Sequence, residues 1–367
     1  MNSQQLLETA SALVADDKGL LAMDESNATC NQRFAALGIA QTQEMRRQWR
    51  DLLVTAPGLA DSVSGAILFD ETIRQLTTDG RPFATALNAA GIIPGIKVDA
   101  GTKQLALHPG EKITEGLDGL RERLAEYAGM GARFAKWRAV LAIGDGMPGR
   151  ACIQANAHAL ARYAALCQEA GLVPVVEPEV LLEGGHSLQR CAEVTEEVLH
   201  AVFKQLRRQG VMLAAMLLKP AMVLPGSARA EQPSADEVAT ATVGSFLRAV
   251  PAAVAGVVLL SGGQSSELAS MRLNAMNQLF KARLPWPLTF SFSRALQTPA
   301  LDVWHGQQEN VASAQKALVH RAACNRAARR GQYTAAMDHP AVPKKSIERW
   351  ENEGGGEAIP PPTAERI

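Results

Sequence analysis

The sequence carries no excess of either charge sign. Lys plus Arg and Asp plus Glu each number 37, so the formal net charge is zero. That balance gives no basis for broad attraction to nucleic acid or to an anionic membrane, and it leaves open a local cation cluster for a small anion. The chain also lacks a CxxC pair. Its cysteines (Cys30, Cys152, Cys167, Cys191 and Cys324) are odd in number and scattered, which fits reduced cytosolic thiols better than a disulfide framework. No uninterrupted apolar run approaches the ~20 residues that span a bilayer. The opening MNSQQLLETASALVADDKG has neither the basic start and apolar run of a secretory signal nor the arginines of a transit peptide. The expectation is a cytoplasmic protein with no membrane and no nucleic-acid partner. HExxH is missing too, and the histidines form no ligand pair, so no resident metal is expected.

What is present is an ordinary soluble composition, 47% hydrophobic and 20% charged, over 367 residues. Length alone suggests two or three domains, but α/β barrels run long as single domains. Short apolar runs recur at Leu20–Met23, Ala66–Phe69, Gly95–Val98, Arg133–Trp137, Val173–Val176, Val211–Leu218, Gly256–Leu260 and Leu288–Phe292. The gaps between them are long enough for crossover helices. Amphipathic stretches at Gly116–Gly129, Ile153–Gly171 and Ala192–Gly210 fill three of those gaps, each ending in a stop-signal glycine. Eight such runs alternating with helices predict an α/β protein, a closed (β/α)₈ TIM barrel. An open doubly wound sheet also alternates. Against it, no GxGxxG follows the first run, and polar residues end nearly every run, as they do where strand ends converge on a barrel mouth. The predicted organisation is one barrel domain with an N-terminal helix over residues 1–335 and an extended tail over 336–367.

Side chains two apart on a strand share a face. Lys97 with Asp99, Lys136 with Arg138, and Glu177 with Glu179 therefore send paired charges into one mouth from three consecutive strands. Buried charges are rare unless paired or functional. Each pair alone reads equally as a solvated strand end or a structural salt bridge; the three together with Lys219 read as a site. Lys219 closes the apolar run VMLAAMLLKP. Burial lowers a lysine pKa and a nearby cation lowers it further, and Lys136 is the candidate neighbour. A neutral amine attacks a ketone to form an imine. A lysine that snorkels out of the strand end or pairs with a glutamate is the plainer alternative. After the seventh run, LLSGGQSS offers Ser261, Gly262 and Gly263, and Arg294 follows the eighth. Phosphate sites after strands 7 and 8 recur in barrels, while a bare SGG is also just a turn.

With those residues in place, the chain resembles class I fructose-1,6-bisphosphate aldolases over about residues 5–335. The motifs are AMDES (22–26), ILFDET (67–72), GIKVD (95–99), FAKWR (134–138), VEPE (176–179), LLKP (217–220), LSGGQS (260–265) and FSRALQ (292–297). The resemblance implies a metal-independent, cofactor-free lyase of glycolysis that acts on a phosphorylated ketose and assembles as a homotetramer. It implies that Lys219 forms the imine, that Glu177 transfers protons during its formation and hydrolysis, and that Asp24 serves the C4 hydroxyl. Lys136 and Glu179 would complete the charge network. Ser261, Gly262, Gly263 and Arg294 would hold the C1 phosphate. Ser26 and Lys97 would lie near the C6 phosphate, with Arg138, Arg33 and the helper hydroxyl of Thr29 close by.

The chain departs from that family after AMDES, where TGSIAKR becomes NATCNQR. Gln32 thus removes a positive charge. Ala221 replaces an asparagine beside Lys219, and no tyrosine follows Tyr333, so a tail with little catalytic role is expected. Gln32 motivates a second reading: the same chemistry on sedoheptulose 1,7-bisphosphate or fructose 1-phosphate. A non-catalytic scaffold and a zinc-dependent aldolase are the other rivals.

Overall fold

The computed structural model describes residues 3–338. In chain order the strands are β1 (Gly19–Ala22), β2 (Val63–Leu68), β3 (Ile93–Lys97), β4 (Thr102–Gln104), β5 (Lys112–Thr114), β6 (Phe134–Leu141), β7 (Val173–Val180), β8 (Leu217–Leu218), β9 (Gly256–Leu259) and β10 (Leu288–Phe292). All but β4 and β5 close into a parallel barrel ordered β1-β10-β9-β8-β7-β6-β3-β2. This is the (β/α)₈ barrel that the eight runs predict. Its strands are mostly apolar because they are covered on both faces, and the charges of β6 and β7 face the mouth. The helices around them are α1 (Ser3–Leu13), α2 (Asn27–Ala36), α3 (Gln43–Val54), α4 (Asp70–Ile73), α5 (Phe83–Ala89), α6 (Leu120–Gly129), α7 (Arg150–Glu169), α8 (Leu188–Arg208), α9 (Ala235–Ala249), α10 (Ser266–Phe280), α11 (Arg294–Trp304) and α12 (Val311–Arg330).

One end of the barrel is plugged. Leu6, Ala10 and Leu13 of α1 pack with Leu20, Phe134, Val173, Leu217 and Val258 in a buried apolar cluster. The packing there is tight enough that a Cβ at Gly95 would lie 2.3 Å from the Phe134 ring. The run Val211–Leu218 is not one long strand: only Leu217 and Leu218 join the ladder, and Leu213–Ala215 forms a 3₁₀ turn. Gln168 holds that turn, donating to Met212 O (2.9 Å) and Ala215 O (3.1 Å). Met212 and Ala215 face the floor and join the α1 cluster, while Val211, Leu213 and Met216 pack into the main core.

The longest ladder is β6 with β7, in register from Phe134↔Val173 to Leu141↔Val180. Tyr163 of α7 is fully buried beneath it. Its hydroxyl donates to Ala135 O (2.6 Å) and accepts from Val175 N–H (3.1 Å). The β6–β7 register sets Arg138 beside Glu177, and the β3–β6 register sets Lys136 beside Lys97.

One expectation shifts at its edge. The stop glycines Gly171 and Gly210 adopt positive φ, but α6 turns at Gly131 rather than Gly129. Tyr333 is buried with its N–H on Asn274 Oδ1 (2.9 Å), and Ala335–Asp338 is a 3₁₀ turn tied to Arg321 at 2.5 Å. The rest of the expected tail, 339–367, lies outside the described residues. Sequence reading also passed over the exposed antiparallel hairpin β4–β5.

Candidate active site

At the open end lies a cavity of about 840 Å³. Every site residue singled out from the sequence lines it: Lys219, Glu177, Asp24, Lys136, Glu179; Ser261, Gly262, Gly263, Arg294; and Ser26, Thr29, Arg33, Lys97, Arg138. The chain has to close on itself for this to happen, since Asp24 follows β1 and Arg294 follows its ladder neighbour β10.

Lys219 directly follows β8. Its N–H donates to Val176 O (2.8 Å), which fixes the backbone beside β7, and the residue is only 4% exposed. Glu177 stands between two lysines. Its Oε1 lies 3.2 Å from Lys219 Nζ, and its Oε2 lies 3.2 Å from Lys136 Nζ. Lys136 Nζ also reaches Asp24 Oδ2 at 2.9 Å and Asp99 Oδ2 at 4.0 Å. The cation expected beside Lys219 is therefore present one carboxylate away. Burial works against the Lys136 ammonium, but Asp24, Glu177 and Asp99 outweigh it and raise its pKa well above the usual lysine range. Burial alone would raise the Asp24 pKa; Lys136 and Lys219 reverse that and hold it below the ordinary aspartate value. At neutral pH the mouth thus contains a fixed ammonium and an ionised carboxylate within ion-pair distance.

Glu179 does not join Lys136 directly. It pairs with Arg138 Nε. Lys97 is held by Asp99, with Nζ 2.7 Å from Oδ1 and donating to the Asp99 carbonyl at 2.8 Å. Asp99 Oδ2 also accepts from the Arg138 N–H (3.3 Å). Asp99, read from sequence only as a partner of Lys97, thereby links β3 to the β6 cations.

The turn after β9 is closed by Gln264 N–H on Ser261 O (3.1 Å). Gly262 and Gly263 have φ of +57° and +85°, a left-handed pair that L side chains rarely adopt. A Cβ on Gly263 would lie 3.1 Å from an Arg294 nitrogen. The glycines therefore bring turn backbone and the guanidinium to one corner. Across the mouth Ser26 caps α2, accepting from Thr29 N–H (3.3 Å), with the two hydroxyls 3.0 Å apart. Gln32 lines the same side.

Sequence reading missed Glu25. It is buried, ion-paired to Arg33 at 2.5 Å and to Arg50, and it accepts from Ser293 Oγ (2.7 Å) and Gln297 Nε2 (2.7 Å). Burial would raise its pKa, but Arg50 and Arg33 drive it far below the carboxylate range. Arg33 is consequently held against the wall. No local signal marks this cluster, because Ser293 and Gln297 stand 268 and 272 positions away. Ser291 and Ser293 also line the cavity. Among the described residues, no group of three or more His, Cys, Asp or Glu could hold a metal ion.

The family model described as fructose-bisphosphate aldolase class-I matches residues 5–350. A probable fructose-bisphosphate aldolase class 1 from Xanthomonas axonopodis pv. citri is 54% identical over 334 residues, 91% of this chain and 99% of that protein. The cytosolic fructose-bisphosphate aldolase 6 of Arabidopsis thaliana is 50% identical, over 90% of this chain and 92% of its own. Among solved structures, the fructose-bisphosphate aldolase of Plasmodium falciparum, in complex with TRAP and a small-molecule inhibitor, superposes with a TM-score of 0.89. It is 47% identical, over 90% of this chain and 96% of that one.

Proposed function

The chain belongs to the class I fructose-bisphosphate aldolase family, and from that premise we propose that it cleaves fructose 1,6-bisphosphate reversibly through an imine on Lys219, giving dihydroxyacetone phosphate and glyceraldehyde 3-phosphate. The observation that carries this reading is the buried chain Lys219–Glu177–Lys136–Asp24, with links of 3.2, 3.2 and 2.9 Å.

Lys219 first gives a proton to Glu177, the acceptor at hand, and its neutral nitrogen attacks the C2 carbonyl. Glu177 then returns a proton to the departing hydroxyl, and water leaves as the imine forms. The protonated imine draws electrons from the C3–C4 bond. Ionised Asp24 takes the C4 hydroxyl proton, the bond breaks, and glyceraldehyde 3-phosphate departs. The remaining enamine is protonated at C3, and water hydrolyses the imine to release dihydroxyacetone phosphate. Lys136 keeps its charge throughout and holds Asp24 and Glu177 in place. Ser261, Gly262, Gly263 and Arg294 take the C1 phosphate; Ser26, Thr29, Lys97 and Arg138 face the far end of the sugar. No metal or cofactor enters this scheme.

Borohydride reduction with fructose 1,6-bisphosphate present should fix substrate carbon to Lys219. Lys219→Ala should fold, lose trapping and lose cleavage; retained activity in that variant ends the proposal. Activity should persist in EDTA.

A second reading has its own support. Gln32 is neutral and Arg33 is engaged by Glu25, so the far end of the mouth has fewer free cations. Turnover of fructose 1-phosphate or sedoheptulose 1,7-bisphosphate above that of fructose 1,6-bisphosphate would favour it. We infer a cytoplasmic location, as relatives named cytosolic or cytoplasmic suggest. No described helix is long and apolar enough to cross a membrane. The resemblance implies a homotetramer, which sedimentation equilibrium tests.

A further inference from the structure

We propose that Arg272 is a positioning residue for the turn Ser261–Gln264, acting through the side chain of Gln264 to aim backbone at a bound phosphate. The inference rests on the reading of that turn as a phosphate site.

Arg272 lies inside α10 and is 3% exposed. Its Nη1 donates to Gln264 Oε1 at 2.7 Å, and its buried Nε meets no acceptor among the described residues. Burial pulls its pKa down to about 10, with no carboxylate opposing that pull, so the guanidinium remains charged at neutral pH. A guanidinium only donates hydrogen bonds. It therefore dictates which way the Gln264 amide faces: oxygen toward Arg272, nitrogen toward the turn. The nitrogen donates to Ser261 O at 2.8 Å and approaches Met222 Sδ at 3.5 Å. The Gln264 N–H donates to the same carbonyl at 3.1 Å.

The Ser261 carbonyl is thus held twice. In a trans peptide the next N–H points the opposite way. The Gly262 N–H is accordingly turned away from Gln264, and Gly262 lines the cavity. Removing Arg272 frees the amide to rotate, and an amide oxygen facing the Ser261 carbonyl repels it. Arg272 also places a buried positive charge behind the turn, where few water molecules screen it.

The test compares Arg272→Met, Arg272→Lys and Gln264→Glu with the parent. The readouts are kcat and KM for fructose 1,6-bisphosphate, the competitive inhibition constant of inorganic phosphate, and the melting temperature. Arg272→Met should raise KM and the phosphate constant about fivefold, the cost of one lost hydrogen bond, with kcat within about twofold. Arg272→Lys keeps the charge without the fork and should recover part of the loss. Gln264→Glu neutralises the guanidinium, cannot donate to Ser261, and should match Arg272→Met; it carries the test if Arg272→Met does not fold.

Ser261→Ala and Arg294→Ala separate the two readings. If both raise the phosphate constant while the Arg272 and Gln264 variants leave it unchanged, the positioning role is overturned. A lowered melting temperature with unchanged KM overturns it equally, since that is a purely structural role. If none of these variants moves the phosphate constant, the turn is not a phosphate site and both readings fall.

Discussion

The Glu177 side chain lies 3.2 Å from Lys219 Nζ through one oxygen and 3.2 Å from Lys136 Nζ through the other. A single side chain is therefore in contact with the proposed nucleophile and with the charge that stays fixed. Glu177→Gln keeps the shape but cannot shuttle protons. Its kcat should fall about 10²- to 10³-fold, in the range of a lost general acid–base. Borohydride trapping should slow yet still occur, because the amine remains. Trapping at the parental rate would show that Glu177 does not serve imine formation.

Lys136 Nζ lies within ion-pair reach of three buried carboxylates, Asp24, Glu177 and Asp99, at 2.9, 3.2 and 4.0 Å. Lys136→Met takes from Asp24 its ion-pair partner, while Glu177 keeps Lys219 and Asp99 keeps Lys97; this should destabilise the fold by about 3–5 kcal/mol, as for a broken buried pair. Urea denaturation measures it. Adding Asp24→Asn should restore part of the loss, and a strictly additive double variant would argue against coupling.

Glu25 and Asp24 both have folded pKa values below their unfolded ones. The unfolded chain then binds more protons between the two values, so stability rises with pH across that window. Their contribution is fully present above the unfolded carboxylate range and is lost as pH falls below about 4.5. Lys136 has the opposite sign: its contribution is present below the unfolded lysine value and fades only in strong alkali. Denaturation profiles at pH 7, 5, 4 and 3 should show a steep acid limb. Glu25→Gln should lower stability at pH 7 and flatten that limb; an unchanged slope would remove Glu25 from the account.

Gly263 combines a φ of +85° with the Arg294 guanidinium, 3.1 Å from where a Cβ would sit. Gly263→Ala should cost about 1–2 kcal/mol in backbone strain. It should also raise the KM of a phosphorylated substrate while leaving borohydride trapping of unphosphorylated dihydroxyacetone nearly intact. Equal losses with both substrates would place the fault elsewhere than phosphate binding.

Leu107, between β4 and β5, is 98% exposed with a φ of +65°. Among the described residues its side chain is left in solvent, and its Cβ strains the backbone. Leu107→Asn suits that region and should stabilise by about 0.5–1 kcal/mol. A thermal melt with unchanged kcat checks this.

The barrel was legible because burial on both faces leaves runs such as Val173–Val176 almost free of polar residues, and because charges at i and i+2 share a face; β6 and β7 in fact run on past those charges to Leu141 and Val180. The same logic misread Val211–Leu218. A floor plug held by Gln168 is as apolar as a strand, so hydrophobicity alone does not separate them. Lys219, Glu177 and Lys136 stood out as charges set against apolar strands. Glu25 and Arg272 did not: each takes its meaning from partners that only the closed barrel or a side-chain orientation supplies. The hairpin β4–β5 escaped notice because its strands are three residues long and largely exposed.

The pairing of β1 with β10 has a consequence for biogenesis. A ribosome must translate beyond Phe292 before the sheet can seal, and until then both flanking strands present unsatisfied backbone edges. A nascent or C-terminally truncated polypeptide should accordingly be inert toward sugar phosphates and prone to aggregate, with competence arriving in one late step.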